Sequence, residues 1–299
     1  MISHGSGRSL PTELPELRPE EYRLLRDLLG EKIGHAFNED HAREFERRLR
    51  PRVSACGLST FAEYHRHLRG SPKREEELQT VYDILTNNET YFFREDYQLR
   101  SFREEVLPRL ERDARHRKQL TCWSMGCSTG EEAYSIAMVL LESGRFDGWS
   151  MRVLGTDLSR KRITFARRGI YGESSFRSTS KERRGAFFVS TRAGTRVCAA
   201  VRSLCQFGQL NVMEMKNRCT IDQVDAVFCR NVLIYFTPQA RAHVMASIFE
   251  RLRPGGFLML GHSESLLHDP GPFQPVHLKR DVVYRRPTER ELRSKREGI

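Results

Sequence analysis

The chain has 299 residues, 38% hydrophobic and 30% charged, with a formal net charge of +11. That length holds two domains or one large domain with an insertion, and the composition is that of a soluble globular protein rather than a disordered one. No run approaches the roughly 18 apolar residues of a membrane span, and the opening MISHGSGRSLPTELPELRPEE lacks the apolar core of a signal peptide, so a cytoplasmic protein without membrane insertion is expected.

Residues 1–15 are rich in Gly, Ser and Pro and read as a flexible terminus. Residues 16–84 read as a small all-helical domain: Tyr22, Leu25, Leu28 and Leu29 recur at helical spacing, as do Phe61, Tyr64 and Leu68. Gly57 and the run Gly70-Ser71-Pro72 mark breaks between helices. Residues 85–97 form a linker beginning LTNNETYFFRE, in which polar side chains alternate with aromatic ones. Thr90 and Arg94 are four apart and would share a helical face. The plainer reading of the same stretch is interdomain packing by Tyr91, Phe92 and Phe93.

Residues 98–286 read as a second domain, and from about Leu120 strands alternate with helices. LTCWSMG is a buried strand ending at Gly126, followed by the acidic helix start TGEEAYSIAMVLLESG. MRVLGTDLS is a second strand, with Asp157 where the helix SRKRITFARRG begins. LCQFGQLNV, VDAVFCRNVLIYF and GGFLMLGHSES are further strands, a helix from Pro238 to about Leu252 separates the last two, and DVVYRR adds an antiparallel edge strand. This alternation predicts an α/β fold, a mostly parallel sheet covered by helices on both faces. An insertion at about 173–204 carries the short helix SKERRGAFF and two strands around a turn at Arg192-Ala193-Gly194-Thr195. Residues 287–299 form a charged tail.

The basic excess is local. Residues 160–218 carry 14 Lys/Arg and 3 Asp/Glu, whereas residues 1–84 carry 14 and 15. Such concentration favours a docking surface for an acidic partner over a merely solvated face. The seven cysteines form no C-x-x-C pair and the ten histidines show no ligand spacing; free thiols in a reducing compartment and no metal are expected.

Four segments bear on chemistry. In WSMGCSTGEEAYSIAM, Gly126 and Gly130 would let the backbone approach a ligand, and Glu131 starts the helix; an ordinary turn capped by Ser128 or Thr129 is the alternative. Asp157, at the end of the next strand, suits the two ribose hydroxyls of an adenosine, or equally a helix N-cap. In FCRNVLIYF, polar Asn231 and Tyr235 near a carboxyl end are better placed to face a ligand than to sit in the core, while Arg230 could be a buried structural ion pair. LRPGGFLMLGHSES is a turn and a buried strand, and His262 and Glu264 receive no catalytic role.

LTNNETYFFRE, WSMGCSTGEEAYSIA, GTDLS, FCRNVLIYF and LRPGG…GHSES stand in the order and spacing of the CheR family, and the chain resembles these chemotaxis-receptor protein-glutamate O-methyltransferases from about Leu17 to Tyr284. The resemblance implies a class I methyltransferase domain using S-adenosylmethionine, with an N-terminal helical domain and an inserted β-subdomain. It implies that Asn88, Thr90 and Arg94 help close the cofactor site. Glu131 and Asp157 would contact the methionine and adenosine parts, and Asn211, Val212, Asn231 and Val232 would line the rest. Arg94 and Tyr235 would orient the acceptor glutamate. Arg47, Arg48, Arg50 and Arg52 in FERRLRPRV would form the receptor-docking surface, and the insertion would dock a short peptide from the receptor C-terminus. The expected partner is the cytoplasmic region of methyl-accepting chemotaxis receptors, and the expected product S-adenosylhomocysteine. Two rivals are an RNA methyltransferase, which has few interleaved aromatics to support it, and a silent cofactor-binding regulator; nucleic acid is not the expected partner.

Overall fold

The computed structural model describes residues 16–86, 89–218 and 220–291. The chain divides into two compact units, Met1–Asn87 and Asn88–Ile299. In the first, four helices are α1 (Pro19–Ile33), α2 (Ala42–Ala55), α3 (Phe61–Gly70) and α4 (Arg74–Leu85). The periodic apolar positions turn inward: Tyr22, Leu25 and Leu29 meet Phe45, Leu49, Phe61, Tyr64 and Leu68 in the buried core, while Leu28 is half-buried. Thr60 and Glu63 form a reciprocal capping box that starts α3, and α1 ends where Gly34 takes the left-handed conformation (φ +75°).

The second unit opens with α5 (Asp96–Ser101), a π-helical turn (Phe102–Val106) and α6 (Leu107–Ala114). Pro108, which has no N–H to give the preceding turn, sits at the start of α6. Then come β1 (Gln119–Met125), α7 (Glu131–Ser143), β2 (Ser150–Asp157), α8 (Arg160–Arg168), β3 (Ile170–Tyr171), α9 (Lys181–Phe187), β4 (Phe188–Thr191), β5 (Gly194–Val197), α10 (Ala199–Leu204) and β6 (Cys205–Gln209). The chain continues through α11 (Met215–Arg218), β7 (Val224–Cys229), α12 (Pro238–Arg251), β8 (Leu252–Leu260), β9 (Gln274–His277) and β10 (Val282–Arg285).

Seven strands make one sheet in the order β6-β2-β1-β7-β8-β10-β9. The first five run parallel, β10 runs antiparallel to β8, and β9 antiparallel to β10. The central strands β1 and β7 are buried and mostly apolar because both faces are covered, with Thr121, Ser124 and Asp225 as buried polar exceptions. Leu120, Cys122, Ala226, Phe228, Phe257 and Met259 join a core with α7 and the π-helical turn, while Trp123, Met125, Val227, Cys229, Leu258 and Leu260 join one with α12. The doubly wound, mostly parallel sheet predicted from the alternation is therefore the observed one.

Several local expectations are corrected. The segment DVVYRR is antiparallel, but the edge belongs to β9, whose four residues lack a legible apolar run. FCRNVLIYF is not one strand: β7 stops at Cys229, and Asn231 takes a left-handed conformation (φ +59°) before a 3-10 turn at Leu233–Tyr235. The hairpin of the insertion turns on Arg192 and Ala193, since Thr191 pairs with Gly194. Its second arm stops at Val197, the following residues coil into α10, and a third strand, β3, pairs with β5 from before the insertion.

Candidate functional site

A parallel sheet of this kind offers ligands the crevice beyond the carboxyl ends of its strands, where the winding direction reverses. Here the reversal lies between β1, which leads to β2 and β6, and β7, which leads to β8. The loops leaving β1 and β7 touch at that point: a Cβ on Gly126 (φ +72°) would lie 2.5 Å from Val232 Cγ2. At Gly130 (φ +95°) a Cβ would lie 2.8 Å from the Ala166 Cβ. These glycines thus have a second reason beside the expected one: the protein's own side chains leave no room for a Cβ at either position.

Glu131 and Asp157 stand at the ends of this crevice, and each alternative reading of them meets a specific observation. The helix α7 takes Gly130 as its N-cap with no side-chain cap, so neither Ser128 nor Thr129 caps it. Glu131 is buried at 2% exposure. Its carboxylate accepts from Thr129 Oγ1 at 2.6 Å and Ser175 Oγ at 3.0 Å, and among the described residues it has no ion pair. Burial pushes its pKa above the usual carboxylate range, and the two hydroxyl donors offset this only in part. The N-cap of α8 is Ser159, whose Oγ accepts from Arg162 N at 3.1 Å. Asp157 instead joins two loops, accepting from Ser128 N at 2.8 Å and Ser159 N at 2.9 Å. The carboxylate is thereby fixed at the end of β2, where this kind of sheet meets the ribose of a nucleotide ligand.

The segment 89–95 is not helical, so Thr90 and Arg94 do not share a helical face; Asn88 lies outside the described residues. Phe93 and Glu95 take left-handed conformations (φ +57° and +54°), and Phe92 and Phe93 are buried in the core of the sheet unit. Phe92 packs against Tyr171, Phe176 and Phe188 of the insertion and its flank. Arg94 is half-buried, as is Thr90, and the Arg94 guanidinium donates to the Glu89 carbonyl at 2.7 Å.

Arg230 explains how this irregular backbone is held. Its side chain is 1% exposed and donates to the Arg94 carbonyl at 2.6 Å, Gln98 Oε1 at 2.8 Å, Glu95 Oε2 at 3.1 Å and Glu132 Oε2 at 3.3 Å. The structural ion pair considered for it is present and also fixes the segment bearing Arg94. Burial raises the Glu132 carboxyl, while the Arg230 charge and the Ser124 hydroxyl oppose the shift. Replacing Arg230 with Met leaves two carboxylates without their cation and is expected to lower unfolding stability by about 3–5 kcal/mol. Denaturant titration checks this; a loss below about 1 kcal/mol would mean that the network contributes little.

Past β7, the amides of Asn231, Val232 and Ile234 donate to the Glu264 carboxylate at 2.7, 2.7 and 3.2 Å, and Gly261 N donates at 2.9 Å. Asn231, Val232 and Tyr235 are half-buried. Beyond β6, Asn211 Oδ1 accepts from Met213 N at 3.1 Å, and Val212 begins a 3-10 turn. Gly261 and Glu264 also line a cleft of about 520 Å³ with Tyr97, Gln98 and Asp281. The sequence alone assigns Glu264 and Arg230 structural roles at most. The signal was a charged residue close behind an apolar strand, Arg230 immediately after β7 and Glu264 four residues after β8, where only a dedicated set of partners makes burial tolerable.

The arginine surfaces are less open than their counts suggest. On α2, Arg52 pairs with Glu77, Arg50 with Glu46, and Arg48 with Glu44 and the Leu85 carbonyl. Arg47 is 75% exposed and meets Glu44 only at 3.5 Å. Glu77 also accepts from Tyr64, and its carboxylate lies with Cys56 and His67 in a group whose ligand atoms fall within 4.8 Å; the guanidinium of Arg52 already sits on that carboxylate. In the insertion, Arg177 pairs with Glu89, Arg183 with Asp96 and Glu142, and Arg184 with Glu173. Part of the local basic excess is neutralised inside the fold. Among the described residues no helix is long and apolar enough to cross a membrane.

Comparison with known proteins agrees with this geometry. Residues 88–282 match the family model of the CheR methyltransferase SAM-binding domain, and residues 20–86 that of the CheR methyltransferase all-alpha domain. The chain is 32% identical over 282 residues to chemotaxis protein methyltransferase 2 of Vibrio cholerae, covering 93% of this chain and 96% of that one. It is 30% identical over 271 residues to chemotaxis protein methyltransferase 1 of Pseudomonas aeruginosa, covering 89% and 97%. A probable biofilm formation methyltransferase of the same Pseudomonas species is 32% identical over 262 residues, covering 88% of this chain and 61% of that one.

Proposed function

The chain belongs to the CheR methyltransferase family, and from that premise we propose that it esterifies glutamate side chains of methyl-accepting chemotaxis receptors, yielding glutamyl methyl esters and S-adenosylhomocysteine for sensory adaptation. It is a methyltransferase, and its cofactor is S-adenosylmethionine. The donor set suits that cofactor. Glu131 is a buried carboxylate with no ion pair among the described residues, which matches an ammonium group, and Asp157 sets a carboxylate at the end of β2, where a ribose diol is bound in sheets of this kind. Buried Glu131 beside the reversal point is the observation that carries the reading.

Bound S-adenosylmethionine supplies a methyl group already activated by its sulfonium. In the proposal Glu131 holds the methionine part and Asp157 the adenosine, while Asn211, Val212, Asn231 and Val232 line the remainder and Asn88 and Thr90 help close the site. An acceptor glutamate with a reference pKa near 4.3 is ionised at neutral pH, so the nucleophile needs no general base. The protein's task is alignment and exclusion of water, bringing the acceptor oxygen to roughly 3–3.5 Å of the methyl carbon. Arg94 would grip the acceptor carboxylate and Tyr235 would orient it. The exposed guanidinium of Arg47, with Arg48, Arg50 and Arg52 beside it, would meet the acidic cytoplasmic region of the receptor, and the edge strand β4, where Val189 is 58% exposed, would add a receptor C-terminal peptide to the small sheet.

The test uses labelled S-adenosylmethionine and receptor cytoplasmic fragments, followed by alkali. Label should enter the receptor and leave as volatile methanol, the signature of a carboxyl methyl ester. Base-stable label, or transfer to RNA in preference to receptor, would overturn the proposed substrate.

A further inference from the structure

We propose that Glu264 is a positioning residue for the cofactor site, holding the loop Asn231–Tyr235 in its binding shape through its carboxylate. The inference rests on the reading of Asn231 and Val232 as cofactor-lining residues and goes beyond it by naming what sets their geometry.

Four backbone amides converge on this one side chain. Oε2 accepts from Asn231 and Gly261, and Oε1 from Val232 and Ile234, over 2.7–3.2 Å. Convergent amides make an anion-binding concavity, and here the anion is supplied by the chain itself. Glu264 is 5% exposed, so these donors stand in for water and lose their acceptor if the carboxylate is removed.

The loop is held also by the Arg241 guanidinium, which donates to the Leu233 carbonyl at 3.1 Å, and by burial of the Leu233 side chain, but neither fixes the amides of Asn231 and Val232. β7 ends at Cys229, Asn231 sits at φ +59°, and the backbone bonds recorded inside the turn are Tyr235 N to Val232 O at 3.3 Å and Phe236 N to Leu233 O at 3.1 Å. A left-handed Asn is tolerated rather than favoured, so the bonded amide of Asn231 helps to keep it there. The fit around the carboxylate is close. A Cβ on Gly261 would lie 2.7 Å from Glu264 Oε2 and 2.9 Å from Asn231 N. On its other side the loop presses Val232 into the space at Gly126. A shift of residues 231–232 is thereby passed to the β1 loop that leads to Glu131.

The experiment compares full-length wild type, Glu264→Gln and, as a packing control, Val244→Ala, which truncates a buried residue of α12 in the core that Leu233 joins and removes none of the four amide bonds. Gln keeps the size of the side chain but replaces one acceptor oxygen by an NH2 that faces the same donors. Calorimetric binding of S-adenosylmethionine is expected to weaken about tenfold or more in Glu264→Gln, the range for residues that orient a direct ligand contact. In cofactor-free protein the amides of Asn231, Val232 and Ile234 are expected to exchange hydrogen at least about tenfold faster, ahead of global unfolding. Val244→Ala should lower the unfolding midpoint yet leave binding and these amides within about twofold of wild type. The proposal is overturned if Glu264→Gln leaves affinity and exchange within about twofold, or if the packing control reproduces both changes at an equal midpoint. Neither readout involves a receptor, so a wild type that binds cofactor but fails to esterify receptor glutamates sinks the substrate reading alone.

Discussion

Arg94→Ala is expected to lower kcat for receptor methylation by about 100-fold or more, the range for removing one group aimed at the reacting centre, while moving the Kd for S-adenosylmethionine by no more than about threefold. The asymmetry follows from how Arg94 is built. Its backbone carbonyl is pinned by Arg230 and its guanidinium is held by the Glu89 carbonyl at 2.7 Å, so the head is pre-placed, with no ion pair to break among the described residues. A planar fork suits a carboxylate bidentately, and Lys at this position should restore little, because a point charge does not fix the plane of the acceptor. Holding the acceptor too tightly would stabilise the ground state along with the transition state, so the effect belongs in kcat more than in KM for the receptor. Tyr235→Phe should change the same parameter in the same direction. Equal losses in turnover and cofactor affinity would contradict this division of roles.

Glu131→Gln should separate binding from folding in the opposite sense. Truncating one partner of a buried, hydrogen-bonded charge pair costs about 2–5 kcal/mol, so S-adenosylmethionine should bind about 30-fold more weakly or worse. The cofactor-free variant should nevertheless be no less stable than wild type at neutral pH. Burial raises the folded-state pKa of Glu131 above its unfolded value, so protonation favours the folded state. The stability linked to this group is fully present below the unfolded carboxylate pKa and is lost as pH rises through the raised folded one. Wild type should therefore gain on Glu131→Gln as pH falls through the carboxylate range, and match or trail it at neutral pH. Calorimetric binding together with thermal unfolding across pH checks both halves. A variant that unfolds earlier at neutral pH and still binds normally would make Glu131 a structural residue.

Much of the architecture was legible because its causes are local. The strands around Trp123, Val227 and Leu258 are dominated by apolar residues since both faces are covered, and the helices between them carry apolar stripes. The helical unit was legible for the same reason, through Tyr22, Leu25, Phe61 and Tyr64. Two short strands, β9 of four residues and β3 of two, were not. β9 and β3 form because a neighbouring strand offers unpaired backbone groups, and nothing in Gln274–His277 or Ile170–Tyr171 announces that partner.

The candidate site divides along the same line. Glu131 and Asp157 could be singled out as acidic residues at strand–helix junctions, but whether they cap helices depended on Gly130 and Ser159 taking those places. Arginines that read as open surface, such as Arg52 and Arg183, found carboxylates 25 to 87 residues away in the chain. The sequence by itself determined the two-part organisation, the winding of the sheet and the family chemistry, because periodicity, capping and motif spacing act over a few turns of chain. Only the tertiary structure decided that Val232 fills the space at Gly126, that Arg230 pins the backbone of Arg94, and that Glu264 gathers four amides. Each joins segments far apart in sequence, and the free energy of a buried charge or a close approach is defined only once all of its partners are in place.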